Sequence, residues 1–163
     1  MSQLIFIVGT TALLGSALVG GVFFTFSSFV MKALGRLPSP EGIAAMQSIN
    51  VVVINRTFLG AFMGTAVLSL VIAGLAFGGW DHPSALFFLG GAIFYFVGTF
   101  LVTALGNVPL NNQLAIVSAT DPATHHVWAH YLDRWTTWNH VRTAAAMAAA
   151  LLYVLGLMQH AGA

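Results

Sequence analysis

Nine residues, Trp135-Thr-Thr-Trp-Asn-His-Val-Arg-Thr143, bring together one imidazole, one guanidinium, one carboxamide and two indoles at the start of the last long apolar run. An imidazole with its ordinary pKa of about 6.5 can take a proton near neutral pH, so His140 is a candidate general base. Asn139 and Arg142 can donate hydrogen bonds to an enolate or phenolate oxygen. Trp135 and Trp138, with phenylalanines nearby, can hold a flat apolar substrate. The same residues also suit a membrane interface, with Trp as anchors, Arg142 reaching to headgroups and His140 in water. Residue types alone leave both readings open.

If one helix runs through this stretch from His125, two faces result. His126, His130, Asp133, Thr137 and His140 lie on one, and Trp128, Tyr131, Trp135, Asn139 and Arg142 on the other. The second is the better pocket wall and the first resembles a solvated face. This separates His140 from Asn139 and Arg142. His126 and His130 are spaced i, i+4 with Asp133 close by, which is compatible with a metal. No acidic His-Glu motif supports that, and no metal is assigned.

The elements that must position these groups are set by composition. The chain has 163 residues, 58% hydrophobic and 6% charged, with mean hydropathy +0.90. A soluble domain carries about 25% charged residues, and five Lys/Arg with four Asp/Glu cannot cover a water-facing surface. The expectation is an all-α, integral membrane four-helix bundle with amphipathic connections on the cytoplasmic side. There is no basic run, which argues against nucleic acid. With no Cys, disulfides, thiolate catalysis and Cys-bound metals are excluded. The first three spans contain no His, against haem held between helices. No ionisable residue lies deeper in a span than Arg142, against ion-coupled transport.

One domain, 1–163, is expected, with spans at about 4–30, 57–77, 85–106 and 141–158. The first run lacks a positive leader region and is read as a retained helix. Gly9, Ser16, Gly20 and Ser27 form a small-residue stripe, as do Gly91 and Gly98, and Gly60 and Gly64 have small-xxx-small spacing. Such stripes pack within a molecule or between copies, so a homo-oligomer is compatible with them. Phe23-Phe-Thr-Phe-Ser-Ser-Phe-Val-Met31 can line an aromatic pocket or fill core. In the first connection, Ser39 is expected to cap a helix with Pro40 at its first position and Glu41 in its first turn. That helix is expected to run on into the second span, placing Gln47, Asn50, Ile54 and Thr57 on one face. Its amides can fix a ligand or tie helices together. Gly78-Gly-Trp-Asp-His-Pro83 reads as a turn. Gly106 and Asn107 are expected to end the third span, since Pro109 cannot continue the backbone bonding. The amides of Asn107-Val-Pro-Leu-Asn-Asn-Gln113 either satisfy freed backbone or bind a ligand. Asp121-Pro-Ala-Thr starts another helix that can continue into the last span. All five Lys and Arg lie in the first and third connections or at their edges, which places these connections in the cytoplasm and both termini outside. In a bacterium the location is the plasma (inner) membrane, crossed several times.

Four sequence pieces resemble the anthrone oxygenase family of membrane proteins: Phe23-Phe-Thr-Phe-Ser-Ser-Phe-Val-Met-Lys-Ala-Leu34, Met46-Gln-Ser-Ile-Asn50, Asn107-Val-Pro-Leu-Asn111 and Trp135-Thr-Thr-Trp-Asn-His-Val-Arg-Thr143. The last two are the most specific. The resemblance implies a four-helix membrane bundle and oxidation of polycyclic anthrones to anthraquinones by O2 with no cofactor. It implies that His140 deprotonates the activated carbon while Asn107, Asn111, Asn139 and Arg142 hold substrate oxygens, an assignment that a kink near Trp138 or a site between two helices could reconcile with the helical faces. Asn50, Trp135 and Trp138 are taken, from their residue types, as further binding residues. The expected partners are the lipid bilayer and a hydrophobic aromatic small molecule. Fold likeness does not itself carry chemistry. A module that binds a lipid, quinone or aromatic metabolite without turnover, and a structural subunit, are the competing classes.

Overall fold

The computed structural model describes residues 2–80, 82–119, 121 and 125–162. They form helices with no strand among them. Four helices are long and apolar enough to cross a membrane: α1 (Gln3–Leu34), α3 (Arg56–Gly78), α4 (Ala85–Ala115) and α5 (His125–Ala161). A shorter helix, α2 (Ser39–Val52), lies between the first two. α1 packs on α3 and α5, and α4 packs on the same two. The spans thus form a ring in which neighbours in sequence are neighbours in space, the up-and-down arrangement that short connections favour. α2 folds back at one end, against the close of α4 and the start of α5. First and third connections therefore meet there, joined by Ser39 Oγ at 2.8 Å from His125 Nδ1.

Small residues set the helix spacing. Gly9 lies on Leu157 and Phe88, Gly20 on Ala146 and Met147, and Ser27 meets Thr143 at 3.2 Å. The first stripe therefore faces mainly α5. A Cβ on Gly98 would come within 2.6 Å of the Ala145 Cβ, and one on Gly91 would strike the Tyr153 ring. Gly60 and Gly64 meet nothing within 4 Å, so their spacing, a packing signal in the sequence, makes no close contact inside the bundle.

The first connection departs from expectation. α2 stops at Val52 instead of running into the second span. Asn55 takes an extended conformation and accepts the Phe58 N–H at 3.0 Å, which caps a new helix. That bond satisfies one of the free donors of the first turn. At the start of α2, Pro38 holds the cap position and Ser39 is already helical.

The third span also departs. It does not end at Gly106 but continues through Pro109 to Ala115. Proline lacks an N–H and its ring crowds the carbonyl four residues back. Directly before it, Thr103–Asn107 widens to π geometry, which relaxes the turn that the ring must enter. A longer π stretch, Phe94–Leu101, precedes that, and α1 has one at Phe26–Val30. The helix of the fourth span does continue back through the Trp135–Thr143 stretch, since one helix runs from His125 to Ala161. Its 37 residues extend about 55 Å at 1.5 Å per residue, longer than the roughly 30 Å hydrocarbon layer. Asp81 of the middle turn, and 122–124 of the Asp121-Pro-Ala-Thr helix start, lie outside the described residues.

Candidate functional site

Two clusters of buried side chains fill the bundle. One occupies the body of the four spans and includes Phe23, Phe62, Phe88, Tyr95 and Tyr153. The other joins α2 to the lower half of α5 through Ile43, Met46, Trp128, Tyr131 and Trp135. Where they meet there is a cavity of about 720 Å³, within the range that takes a small organic molecule. Its apolar wall comes from Val22, Phe23 and Phe26 of α1, Phe58, Leu59 and Phe62 at the start of α3, and Trp135 of α5. Gln47 and Asn50 of α2, Thr103, Asn111 and Asn112 of α4, and Arg142 of α5 supply polar groups. Arg142 is the one charged residue among the described lining residues.

Arg142, Asn111, Asn50 and Gln47 are held from behind. Arg142 is 5% exposed. Its Nε donates to Asn139 Oδ1 at 2.9 Å and Nη1 donates to Thr103 Oγ1 at 3.4 Å. The guanidinium carbon lies 3.8 Å from the Phe23 ring centroid and 4.8 Å from that of Trp135. Ring faces attract a cation, yet neither they nor the neutral oxygens carry a compensating negative charge. Asn139 is fully buried. Its Nδ2 donates to the Phe23 carbonyl at 2.8 Å and to Ser27 Oγ at 2.7 Å. These acceptors stand where α1 widens into its π turn, and such a turn withdraws carbonyls from the regular ladder. Inside a membrane another group of the protein must satisfy them.

A second lattice fixes the opposite wall. Asn111 Oδ1 accepts from Tyr131 OH at 2.9 Å and from Trp135 Nε1 at 2.7 Å. Asn50 Nδ2 reaches the Tyr131 oxygen at 3.4 Å. Gln47 Nε2 donates to the carbonyls of Leu114 and Val117 at 2.8 and 2.9 Å, closing the end of α4.

Of the residues singled out by sequence, Arg142, Asn50, Asn111 and Trp135 are brought together at the cavity. Asn139 stands behind Arg142 and does not line it. Asn107 is fully buried, donates to the Trp135 carbonyl at 3.1 Å, and leaves its Oδ1 without a partner. Trp138 turns outward, 37% exposed, over Gly106. His140 is exposed on the far side of α5 from Asn139 and Arg142, because the helix runs on without the kink that would reunite them. No group of three or more metal-ligating side chains, from His126, His130 and Asp133 or elsewhere, occurs among the described residues.

Sequence reasoning missed Phe58 and Phe62, which stack at 6.0 Å between centroids, and the Tyr131 hydroxyl. The phenylalanines are spaced i, i+4 at the head of a span, a pattern that also fits plain core.

A family model described as anthrone oxygenase matches residues 52–152, more than half of the chain. No curated protein and no solved structure matches significantly. The matched region includes α3, α4 and most of α5, hence Arg142, Asn111 and Trp135, and the chain belongs to the anthrone oxygenase family.

Proposed function

We propose that this protein binds a flat, oxygen-bearing aromatic molecule within the membrane and promotes its oxidation by O2. The observation that carries the reading is a lone guanidinium at the wall of an aromatic cavity large enough for such a molecule. In an anthrone the reacting centre is a CH2 flanked by two rings and opposite a carbonyl. Loss of one C–H proton gives an anion whose charge resides largely on that carbonyl oxygen, and Arg142 is suited to hold it. The carbanion carbon bonds to O2, giving a peroxide anion that takes up a proton. Loss of water from the hydroperoxide, with the second C–H proton, leaves a carbonyl. The substrate gives up four electrons, and the two oxygen atoms end in the new carbonyl and in water. Asn111 and Asn50 are placed to orient further oxygens, and Phe23, Phe58 and Trp135 to clasp the rings.

The test is oxygen uptake by the purified protein supplied with emodin anthrone. Catalysed uptake is expected in the wild type and in His140→Ala, whose imidazole lies outside the cavity, and is expected to fall at least about tenfold in Arg142→Gln. Loss of uptake in His140→Ala alone would restore the base role that the sequence suggested.

A second reading is binding without turnover. It is favoured by the lack of a His or carboxylate among the described lining residues, and uptake no faster than the spontaneous rate would select it. For orientation, the end carrying Lys32, Arg36, Arg56 and Arg134 is assigned to the cytoplasm. Cysteines placed at Arg36 and His126 should then both be labelled from the cytoplasmic side only.

A further inference from the structure

We infer that the cavity binds weakly acidic, bilayer-dissolved aromatic compounds as their anions, with Arg142 taking the place of a general base by drawing the acid into its ionised form. The inference rests on the reading of this cavity as a ligand site, and three observations lead to it.

The first is the state of Arg142. It is almost wholly buried, and its hydrogen bonds go to an amide and a hydroxyl oxygen, with no carboxylate among its described partners. Among the described residues, no bond uses Nη2. A buried cation of this kind is stabilised by any anion that comes within reach of its free N–H groups.

The second is the character of the remaining lining. Gln47, Asn50, Thr103, Asn111 and Asn112 are neutral and their side chains do not titrate near neutral pH. A ligand proton therefore has no side chain in the wall to receive it. Asn112 is exposed near the end of α4, and water that reaches this polar side can accept the proton. The step is simple in its balance: an O–H or activated C–H bond of the ligand breaks, the proton passes to water, and the electron pair stays on the ligand as an oxyanion against Arg142.

The third is the mouth. Val51, Ile54, Leu59 and Val108 line the cavity and are exposed, Val51 and Ile54 by 73% and 69%. On a membrane bundle an exposed apolar rim is better placed against lipid than in water, which makes lipid the entry side in this proposal. A ligand entering there must be neutral, since an ion is poorly soluble in hydrocarbon. Neutral entry and a cationic destination together select an acid weak enough to cross as the protonated form and strong enough to ionise beside a guanidinium. Phenols and enolisable aryl ketones meet both conditions, whereas carboxylic acids are already ionised in the bulk and neutral hydrocarbons gain nothing at Arg142.

The experiment uses emodin, a phenolic anthraquinone whose ionisation changes its visible absorption. It is titrated from low to high pH in the presence of the full-length protein in lipid nanodiscs, with empty nanodiscs as the reference. The expected result is an ionisation midpoint for bound emodin about one to three pH units below that in empty nanodiscs. Arg142→Gln, which keeps a donor but removes the charge, should bring the midpoint back to the reference or above it, and Arg142→Lys should retain part of the shift. An unchanged or raised midpoint in the wild type would overturn the inference, with no appeal to a variant that misfolds. Failure of emodin to bind would overturn it equally. A lowered midpoint without catalysed oxygen uptake upholds the inference and defeats the oxygenase reading. Catalysed uptake with a raised midpoint does the reverse.

Discussion

The carboxamide of Asn139 accepts the Arg142 Nε–H at 2.9 Å while its own nitrogen donates across to the Phe23 carbonyl at 2.8 Å. One side chain thus couples the wide turn of α1 to the guanidinium of α5. Asn139→Ala removes the acceptor of the arginine and the donor to Phe23 in one step. An unpartnered buried polar group costs about 1–3 kcal/mol, and hydrogen bonds between membrane helices are worth about 0.6–2 kcal/mol. The expected outcome is a stability loss of about 1–3 kcal/mol in reversible unfolding, with weaker emodin binding because Arg142 is no longer held over the cavity. A variant as stable as wild type would show that Phe23 and Arg142 find other partners.

The glycines of the bundle divide into two kinds, and substitution should separate them. A methyl on Gly98 would come within 2.6 Å of the Ala145 Cβ, so Gly98→Ala forces α4 and α5 apart and should cost about 1–3 kcal/mol. Gly60 meets nothing within 4 Å. Gly60→Ala should leave stability unchanged or raise it by up to about 1 kcal/mol through helix propensity. Thermal unfolding of both variants in one detergent checks the contrast. Equal destabilisation would mean that Gly60 has a neighbour outside this chain.

How much of this was legible in the sequence depended on how local the cause was. The four long apolar helices could be read because a helix that crosses hydrocarbon must be long and apolar, and the two faces of α5 because helical periodicity fixes side-chain direction. That periodicity placed Tyr131, Trp135, Asn139 and Arg142 on one side and His140 on the other, as observed. The expectation that some kink would reunite them came from the family resemblance and not from the residues. What could not be read was non-local. Pro109 ends a helix by every local rule, and only the wide turn at Thr103–Asn107 lets α4 continue. Asn55 resembles any boundary polar residue until its oxygen is seen on the Phe58 N–H. The cavity takes its lining from α1, α2, α3, α4 and α5 together, and no window of sequence encodes that.

Asn111 offers a way to separate charge from architecture. Its Oδ1 accepts from both Tyr131 and Trp135. Asn111→Leu should therefore leave two buried donors unpaired, at about 1–3 kcal/mol each, and shift the Trp emission. Asn111→Asp keeps an acceptor oxygen at the same place but adds a negative charge to the wall that contains Arg142. The folded state should survive, while affinity for ionised emodin should fall by about tenfold or more, equivalent to about 1.4 kcal/mol. Binding titrations at a pH where emodin is ionised, paired with unfolding curves, distinguish the two variants. Undiminished affinity in Asn111→Asp would place the anion elsewhere than at Arg142.

The apolar mouth makes a kinetic prediction distinct from all of these. Val108 and Ile54 both line the cavity and both are exposed, Val108 by 40% and Ile54 by 69%. Neither takes part in the hydrogen-bond lattice that holds Arg142 or Asn111. Enlarging them therefore narrows the route without altering the destination. Val108→Trp, alone and with Ile54→Trp, should slow the binding of emodin delivered from preloaded vesicles, by about tenfold for the double variant if entry is lateral. Dissociation should slow by a similar factor, because both directions cross one constriction and the equilibrium constant is set by the two end states. Stopped-flow absorbance gives both rates. A large loss of affinity with an unchanged association rate would mean that the tryptophans fill the cavity itself. If both rates stay at their wild-type values, the ligand reaches Arg142 by another path, of which the polar side at Asn112 is the alternative.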